Sequence, residues 1–246
     1  MRPAPIGHRG AAAVAPENTI ASMNAALEAG VAAIEFDVRL TADGVPIVIH
    51  DDTLDRTTDA TGPVADRKLA DLRGIDAGSW FDPDHATERI PTLDDVLDLL
   101  EGRARAIVEL KTETRGDFVL RDAVLTTLAA RRDRAAFVYT SMDWTLLEGT
   151  HDRVRDLEVA LTVAFREHRD PIAAAARHGA TAVHPHRARC GRRFTARARA
   201  AGLAVRPYTV NDAKHLAPLV RAGVDAAFTD DPARWGDLLA EVADRA

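Results

Sequence analysis

The chain has 246 residues, of which 46% are hydrophobic and 28% are charged, and its formal net charge is −6 at pH 7. This length accommodates one large α/β domain with a full core, and the acidic balance excludes a basic face of the kind that binds nucleic acid. No run has the length and apolar character of a membrane span or a secretory leader, and the single cysteine, Cys190, excludes an intramolecular disulfide framework. We therefore expect a cytoplasmic protein that neither binds nucleic acid nor inserts stably into a membrane.

Short apolar runs alternate with helical patterns along the chain. Predicted strands lie at 6–8, 31–38, 105–111, 135–141, 158–164, 181–185, 204–209 and 225–229. Predicted helices lie at 20–29, 117–131, 170–178, 195–201 and 211–221, with Asn18-Thr19 capping the first and Asn211-Asp212 capping the last. Alternation of this kind favours parallel strands joined by helices and predicts a (β/α)8 barrel. The alternative, an open doubly wound sheet, lacks a glycine-rich dinucleotide fingerprint.

One further strand-like run, VPIVIH at 45–50, interrupts this alternation because only TADG separates it from the second strand. A parallel crossover needs about a dozen or more residues, so this run must return as an antiparallel hairpin. The hairpin places His50 beside Glu35 and Asp37 as cross-strand neighbours. The polar segment that follows, 51–89, is longer than ordinary loops and is predicted to be a cap-like insertion within one domain spanning 1–246.

Two pairs of charged residues stand near the carboxyl ends of predicted strands, Glu35 with Asp37 and Glu109 with Lys111. The period of a strand puts both members of each pair on one face, at the end of the barrel where active sites lie. Clustered carboxylates need a cation or a shared proton, and three carboxylates suit Mg²⁺ or Ca²⁺ better than Zn²⁺. We predict that Glu35, Asp37 and Glu109 bind one divalent cation, Mg²⁺ or Ca²⁺; the alternative is a structural Glu–Lys network.

Two histidines, His8 and His50, belong to the same end of the predicted barrel, and Arg9 follows His8 directly. A pair of imidazoles can accept one proton and donate another, as phosphodiester cleavage requires. Arg9 and Lys111 can hold a phosphate group and stabilise developing charge. We therefore predict catalytic roles for His8 and His50 and phosphate binding by Arg9 and Lys111, and leave open which histidine is the acid.

Aromatic and imidazole side chains near the predicted barrel mouth are candidates for the wall of the pocket. They are Tyr208, Trp80, Phe81 and His184. The alternative for Tyr208 is a place in the core.

The motifs occur in the order GHRG…PENT, IEFDVRLTADGVPIVIHDDTLDRTT, IPTLDDVL, VELK, YTVN and GVDAAFTDDP, and with them the chain resembles the glycerophosphodiester phosphodiesterases from Ile6 to Pro232. The resemblance implies a TIM barrel of the phospholipase C-like phosphodiesterase type with an insertion after the His-Asp motif. It implies metal-dependent hydrolysis of a small glycerophosphodiester to glycerol 3-phosphate and an alcohol. It also implies the same roles for the metal ligands, the acid–base histidines and the phosphate contacts named above.

Three other functions compete with this interpretation. Hydrolysis of lysophospholipids in phospholipase D fashion would use the same site but would require room for an acyl chain. A Schiff-base lyase would use Lys111 as a desolvated nucleophile and would leave the histidines and carboxylates without a role. A phosphate-binding barrel would bind ligand without turnover.

Overall fold

The computed structural model describes residues 2–112 and 118–244. Within this part of the chain, strands and helices alternate much as the sequence pattern predicts. The strands are β1 Ala4–His8, β2 Ala33–Leu40, β3 Pro46–Val48, β4 Arg105–Leu110, β5 Phe137–Ser141, β6 Glu158–Val163, β7 Ala182–Pro185, β8 Ala204–Val205 and β9 Ala226–Thr229. The α-helices are α1 Ile20–Glu28, α2 Leu69–Leu72, α3 Leu93–Leu100, α4 Phe118–Ala130, α5 Thr150–Arg153, α6 Pro171–Arg177, α7 Arg192–Ala200, α8 Ala213–Ala222 and α9 Trp235–Asp244.

Eight parallel strands form a barrel with the order β8-β7-β6-β5-β4-β2-β1-β9. The two outer members of this order meet through backbone bonds, since the Asp225 amide donates to the Val205 carbonyl at 3.0 Å and the Phe228 amide donates to the Pro207 carbonyl at 3.0 Å. The predicted (β/α)8 barrel is therefore confirmed. The strand predicted at 204–209 is regular only over β8, because Pro207 has no N–H to continue the ladder.

The β2–β3 hairpin is antiparallel, with Val38 opposite Val48, as its short turn requires. Residues 51–89 follow it and contain α2 with two short 3₁₀ turns, Val64–Asp66 and Pro83–His85. A small apolar core joins this segment to the hairpin. Its buried members are Ile47, Ile49, Leu54, Val64, Leu72, Ala77 and Ile90.

The inward side chains change from apolar to polar toward the carboxyl ends of the barrel strands. A lower layer of apolar residues fills the interior: Ile6, Ile107, Val138, Ala160, Ala182, Ala226 and Phe228. Because alternate residues share a face, the inward positions two residues further along five strands are His8, Glu109, Thr140, Thr162 and His184. The apolar layer thus supports a polar chamber at the end of the barrel where active sites lie.

Helix caps explain two details of the loops around this chamber. The hydroxyl of Thr19 accepts a hydrogen bond from the Ser22 amide and caps α1, and Asp212 caps α8 through the His215 amide. Asn18 and Asn211, predicted as parts of these caps, do not have that role. Asn18 has a φ of 60°, whereas a capping residue needs an extended backbone, and its side chain is free to bond elsewhere.

Substitution of Gly10 by alanine is expected to lower the free energy of unfolding by about 1–3 kcal/mol. Gly10 has a φ of +86°, and an added Cβ would lie 2.6 Å from the Ser22 carbonyl carbon on α1. The matched control is Gly44→Ala, where φ is +79° but no atom lies within 4 Å of the added Cβ. Equal unfolding midpoints in denaturant for the two variants would contradict the close approach.

No helix in the described residues is both long enough and apolar enough to cross a membrane.

Candidate active site

A cavity of about 170 Å³ opens at the carboxyl ends of the barrel strands. It contains eight of the residues that the sequence singles out: His8, Arg9, Glu35, His50, Glu109, Lys111, His184 and Tyr208. Its other lining residues are Thr140, Met142, Thr162, Thr209 and Phe228. Trp80 and Phe81 do not line this cavity; Trp80 packs edge-on against Phe81, and Phe81 packs against His85, within the segment 51–89.

Three buried carboxylates, Glu35, Asp37 and Glu109, converge so that one oxygen from each lies within 4.8 Å of the others. The barrel register causes this, because Asp37 and Glu109 are direct partners on β2 and β4. The Oε1 atom of Glu35 is buried and forms no hydrogen bond to any described residue, whereas the buried Oε1 atom of Glu109 faces the Lys111 ammonium at 3.0 Å. A buried, unpaired carboxylate oxygen beside two further carboxylates is costly unless a cation neutralises the charge, so this cluster fits a hard divalent cation.

The two carboxylates on β2 have opposite pKa shifts. Burial and the neighbouring Asp37 raise the pKa of Glu35 to about 8. Burial alone would raise the pKa of Asp37 as well, but Lys111 and Arg9 hold it far below its ordinary value. The Nζ of Lys111 lies 3.1 Å from Asp37 Oδ1 and 3.0 Å from Glu109 Oε1. These contacts raise the pKa of Lys111 despite its burial, so its amine stays protonated.

His8 is held at its Nδ1 atom, which lies 2.6 Å from Asp230 Oδ1. The other carboxylate oxygen of Asp230 accepts a hydrogen bond from Asn211. The Nε2 of His8 faces the carboxylate cluster, 4.0 Å from Glu35 Oε2. Burial alone would lower the pKa of His8, but the bond to Asp230 and the charge of Glu35 outweigh it and the pKa is raised.

His50 is held in the same way by the next residue, with its Nδ1 atom 2.6 Å from Asp51 Oδ1. Burial lowers the pKa of His50, as do the charges of Arg9 and Lys111, although Asp37 acts in the opposite direction. Because an ionised carboxylate can only accept hydrogen bonds, Nδ1 donates the proton in both His–Asp pairs. Both imidazoles therefore have Nε2 free for a reacting group.

The loop that carries Arg9 has a backbone conformation that few non-glycine residues adopt, since φ is 54° at Arg9. Its amide donates to Glu35 Oε2 at 3.1 Å, its Nη1 donates to Glu17 at 2.7 Å, and its Nε lies 3.3 Å from Asp37 Oδ2. Asn18 donates from Nδ2 to Asp37 Oδ2 at 2.9 Å. Arg9 and Asn18 both have a positive φ, and strained backbone of this kind is typical of functional sites.

The rest of the cavity wall combines small hydroxyls with an imidazole and a phenol. The hydroxyls of Thr140 and Thr162 are 2.8 Å apart. Burial keeps the pKa of His184 well below its ordinary value, and its buried Nε2 has no hydrogen-bond partner among the described residues. Tyr208 donates from its hydroxyl to the Val163 carbonyl at 3.1 Å, and burial with the nearby Glu109 raises its pKa to about 12.

Comparison with known proteins agrees with this geometry. Residues 8–234 match the model of the glycerophosphoryl diester phosphodiesterase family. The chain belongs to that family. The resemblance found in the sequence motifs is confirmed, and family membership supports glycerophosphodiester phosphodiesterase activity.

Individual relatives cover nearly the whole chain. A glycerophosphodiester phosphodiesterase of Caldanaerobacter subterraneus is 31% identical over 94% of this chain and 96% of its own. A solved phosphodiesterase of Oleispira antarctica, in complex with the product sn-glycerol-3-phosphate, superimposes with a TM-score of 0.89 at 28% identity, covering 97% of each chain. A structure from Silicibacter pomeroyi, described as a glycerophosphoryl diester phosphodiesterase, has a TM-score of 0.88 at 29% identity over 98% of this chain and 94% of its own.

Sequence reasoning assigned no role at the site to several polar residues that the structure brings together there, among them Asn18, Glu17, Arg56 and Asp230. Each of these four lies in a motif that the resemblance uses, PENT, DRTT or TDDP. These motifs could have drawn attention to the four residues, but only the contacts in the structure show which side chain each of them bonds to.

Proposed function

We propose that the protein hydrolyses glycerophosphodiesters to glycerol 3-phosphate and an alcohol, with one divalent cation and acid–base catalysis by two histidines. One observation carries the proposal: a cluster of three buried carboxylates lies in the same cavity as two imidazoles whose Nδ1 atoms are each fixed by an aspartate. This combination supplies a cation site and two proton-transfer groups at a single place.

The cation ligands in this proposal are Glu35, Asp37 and Glu109, and the cation is Mg²⁺ or Ca²⁺. The donor set supports a hard cation because all three ligands are carboxylate oxygens. When bound, the ion would neutralise these buried charges and supply Lewis acidity toward a phosphate oxygen.

The histidines would move the two protons that hydrolysis requires. One Nε2 removes a proton from the attacking water as its oxygen forms a bond to phosphorus. The other Nε2 donates a proton to the alcohol oxygen as its bond to phosphorus breaks. The balance is one diester and one water consumed, and one glycerol 3-phosphate and one alcohol formed.

Arg9 and Lys111 would bind the phosphate, because both are cationic and both line the cavity. Their present partners are carboxylates, and both cations contact Asp37, so they also keep that ligand ionised. The persistent charge on Lys111 disfavours the Schiff-base alternative, since a nucleophilic lysine must be neutral.

The substrate's hydroxyl groups would meet the wall formed by His184 and Tyr208. The unpartnered Nε2 of His184 supports this, because a buried polar atom without a partner gains most from a ligand hydroxyl. We also propose that 1–246 is one catalytic domain and that 51–89 is its cap-like insertion. The cytoplasmic location remains our proposal, supported by the single buried thiol of Cys190.

The test is an assay of glycerol 3-phosphate release from glycerophosphocholine, glycerophosphoethanolamine, glycerophosphoglycerol and glycerophosphoinositol, with lysophosphatidylcholine in parallel. We expect release that a chelator abolishes and that added Mg²⁺ or Ca²⁺ restores. Release unaffected by the chelator would contradict the role of the cation. Release of choline from the lysolipid alone would assign the lysophospholipase D function, and binding without turnover would indicate a phosphate-binding barrel.

A further inference from the structure

Arg56 lies in the segment 51–89, outside the lining of the cavity, and its side chain is 45% exposed. Its guanidinium nevertheless donates hydrogen bonds to two carboxylates at once. Nε and Nη2 donate to the two oxygens of Asp51 at 2.6 and 3.1 Å. Nη1 and Nη2 donate to the two oxygens of Glu17 at 2.8 Å each. Paired bonds of this kind fix the orientation of a carboxylate as well as its position.

Each of these carboxylates also accepts a hydrogen bond from a residue that lines the cavity. Asp51 Oδ1 accepts the Nδ1–H of His50 at 2.6 Å, and Glu17 Oε1 accepts a bond from Arg9 Nη1 at 2.7 Å. Arg56 is therefore the middle of a continuous chain of charged hydrogen bonds that runs from His50 to Arg9. The first member transfers protons in our proposed function, and the last binds phosphate.

The geometry points to Arg56 as a positioning residue for the reaction. It holds Asp51 in the orientation that keeps the proton of His50 on Nδ1, and it holds Glu17 in the orientation that aims Arg9 into the cavity. This inference rests on the proposed function, because it requires His50 to be catalytic. Among the residues that the structure describes, no arginine donates a hydrogen bond to Asp230, the aspartate that holds His8; the neutral amide of Asn211 holds it instead.

The position of Arg56 separates this role from a purely structural one. Its own side chain is 45% exposed, and those of its partners Asp51 and Glu17 are 25% and 12% exposed, so the guanidinium covers the two carboxylates from the solvent side. Loss of the guanidinium should leave the fold intact while Asp51 and Glu17 gain rotational freedom. Loss of partners that orient a catalytic ligand typically costs about 10- to 100-fold in activity.

The experiment compares Arg56→Ala and Arg56→Lys with two reference variants in the full chain loaded with Mg²⁺ or Ca²⁺. Arg67→Ala is the matched control, because Arg67 belongs to the same segment and donates to the Thr61 carbonyl at 3.2 Å without contacting a carboxylate of this chain of bonds. His50→Ala reports whether the proposed function holds. Steady-state kinetics with a glycerophosphodiester, thermal unfolding and ¹⁵N NMR of the histidine side chains are measured for each.

For Arg56→Ala we expect kcat to fall about 10- to 100-fold with KM changed much less and with the unfolding temperature retained. Methylguanidinium in solution should restore part of the lost activity in Arg56→Ala but none in His50→Ala. The ¹⁵N shifts of His50, assigned by comparison with His50→Ala, should move toward a mixture of tautomers. Arg56→Lys should not recover kcat, because an ammonium cannot make the paired hydrogen bonds by which the guanidinium fixes both oxygens of each carboxylate.

Unchanged kcat in Arg56→Ala beside an inactive His50→Ala would overturn this inference and leave the proposed function standing. An equal loss in Arg67→Ala would also overturn it, by showing a general effect on the segment. An active His50→Ala would overturn the proposed function and the inference with it.

Discussion

Replacement of His50 by alanine is expected to lower kcat by about 100-fold or more and to leave divalent-cation affinity nearly unchanged. His50 lines the cavity and its Nδ1 is fixed by Asp51, so its Nε2 is presented to the substrate. It is not a member of the carboxylate cluster, and its removal takes away a proton-transfer group but no cation ligand. Steady-state kinetics and calorimetric titration with Mg²⁺ and Ca²⁺ measure the two effects separately.

The matched control is His215→Ala. His215 forms the same kind of pair, with Nδ1 2.7 Å from Asp212 Oδ2, but it does not line the cavity. Its removal should leave kcat unchanged. Near-normal turnover in His50→Ala, or a comparable loss in His215→Ala, would remove His50 from the mechanism.

Replacement of Glu35 by glutamine is expected to weaken divalent-cation binding on the order of 10-fold or more. The change keeps the shape of the side chain but removes one of the three carboxyl groups that face a common point, and an amide cannot ionise when the cation binds. A cation stabilises the folded state in proportion to the logarithm of its concentration over its Kd. The rise in unfolding temperature that Mg²⁺ or Ca²⁺ produces should therefore shrink in this variant, and calorimetry should give the same change in Kd.

Glu158→Gln supplies the comparison for this second prediction. Glu158 is partly buried at the opposite end of the barrel, with one oxygen 2.7 Å from Arg105 and the other 2.7 Å from Arg206. Its replacement makes the same chemical change and should lower stability without altering cation affinity. Unchanged cation affinity in Glu35→Gln would remove Glu35 from the ligand set.

The periodicity of the sequence predicted the strands because burial imposes it. Every predicted barrel strand is present, with ends displaced by a few residues. The hairpin was predictable because a four-residue turn leaves an antiparallel return as the sole option. The convergence of Glu35, Asp37 and Glu109 followed from period-two alternation on two strands that end at the same side of the barrel.

Partners from distant parts of the chain were beyond such reasoning. His8 and Asp230 are 222 residues apart, and they meet because β1 pairs with β9 in the barrel. Asn18 followed the pattern of a helix cap, yet its left-handed backbone turns its amide to Asp37. Trp80 and Phe81 had the composition of a pocket wall, but they lie outside the cavity lining, where Trp80 donates to the Ala77 carbonyl and packs against Phe81.

The sequence by itself therefore determined the barrel, the end of it that carries chemistry and the chemical types gathered there, because these depend on local periodicity and on residue identity. The tertiary structure decided which aspartate holds which histidine, that Lys111 stays charged between two carboxylates, and that Arg56 links His50 to Arg9. These outcomes depend on distances of a few ångströms between side chains on different elements. Sequence spacing does not encode such distances until the barrel closes.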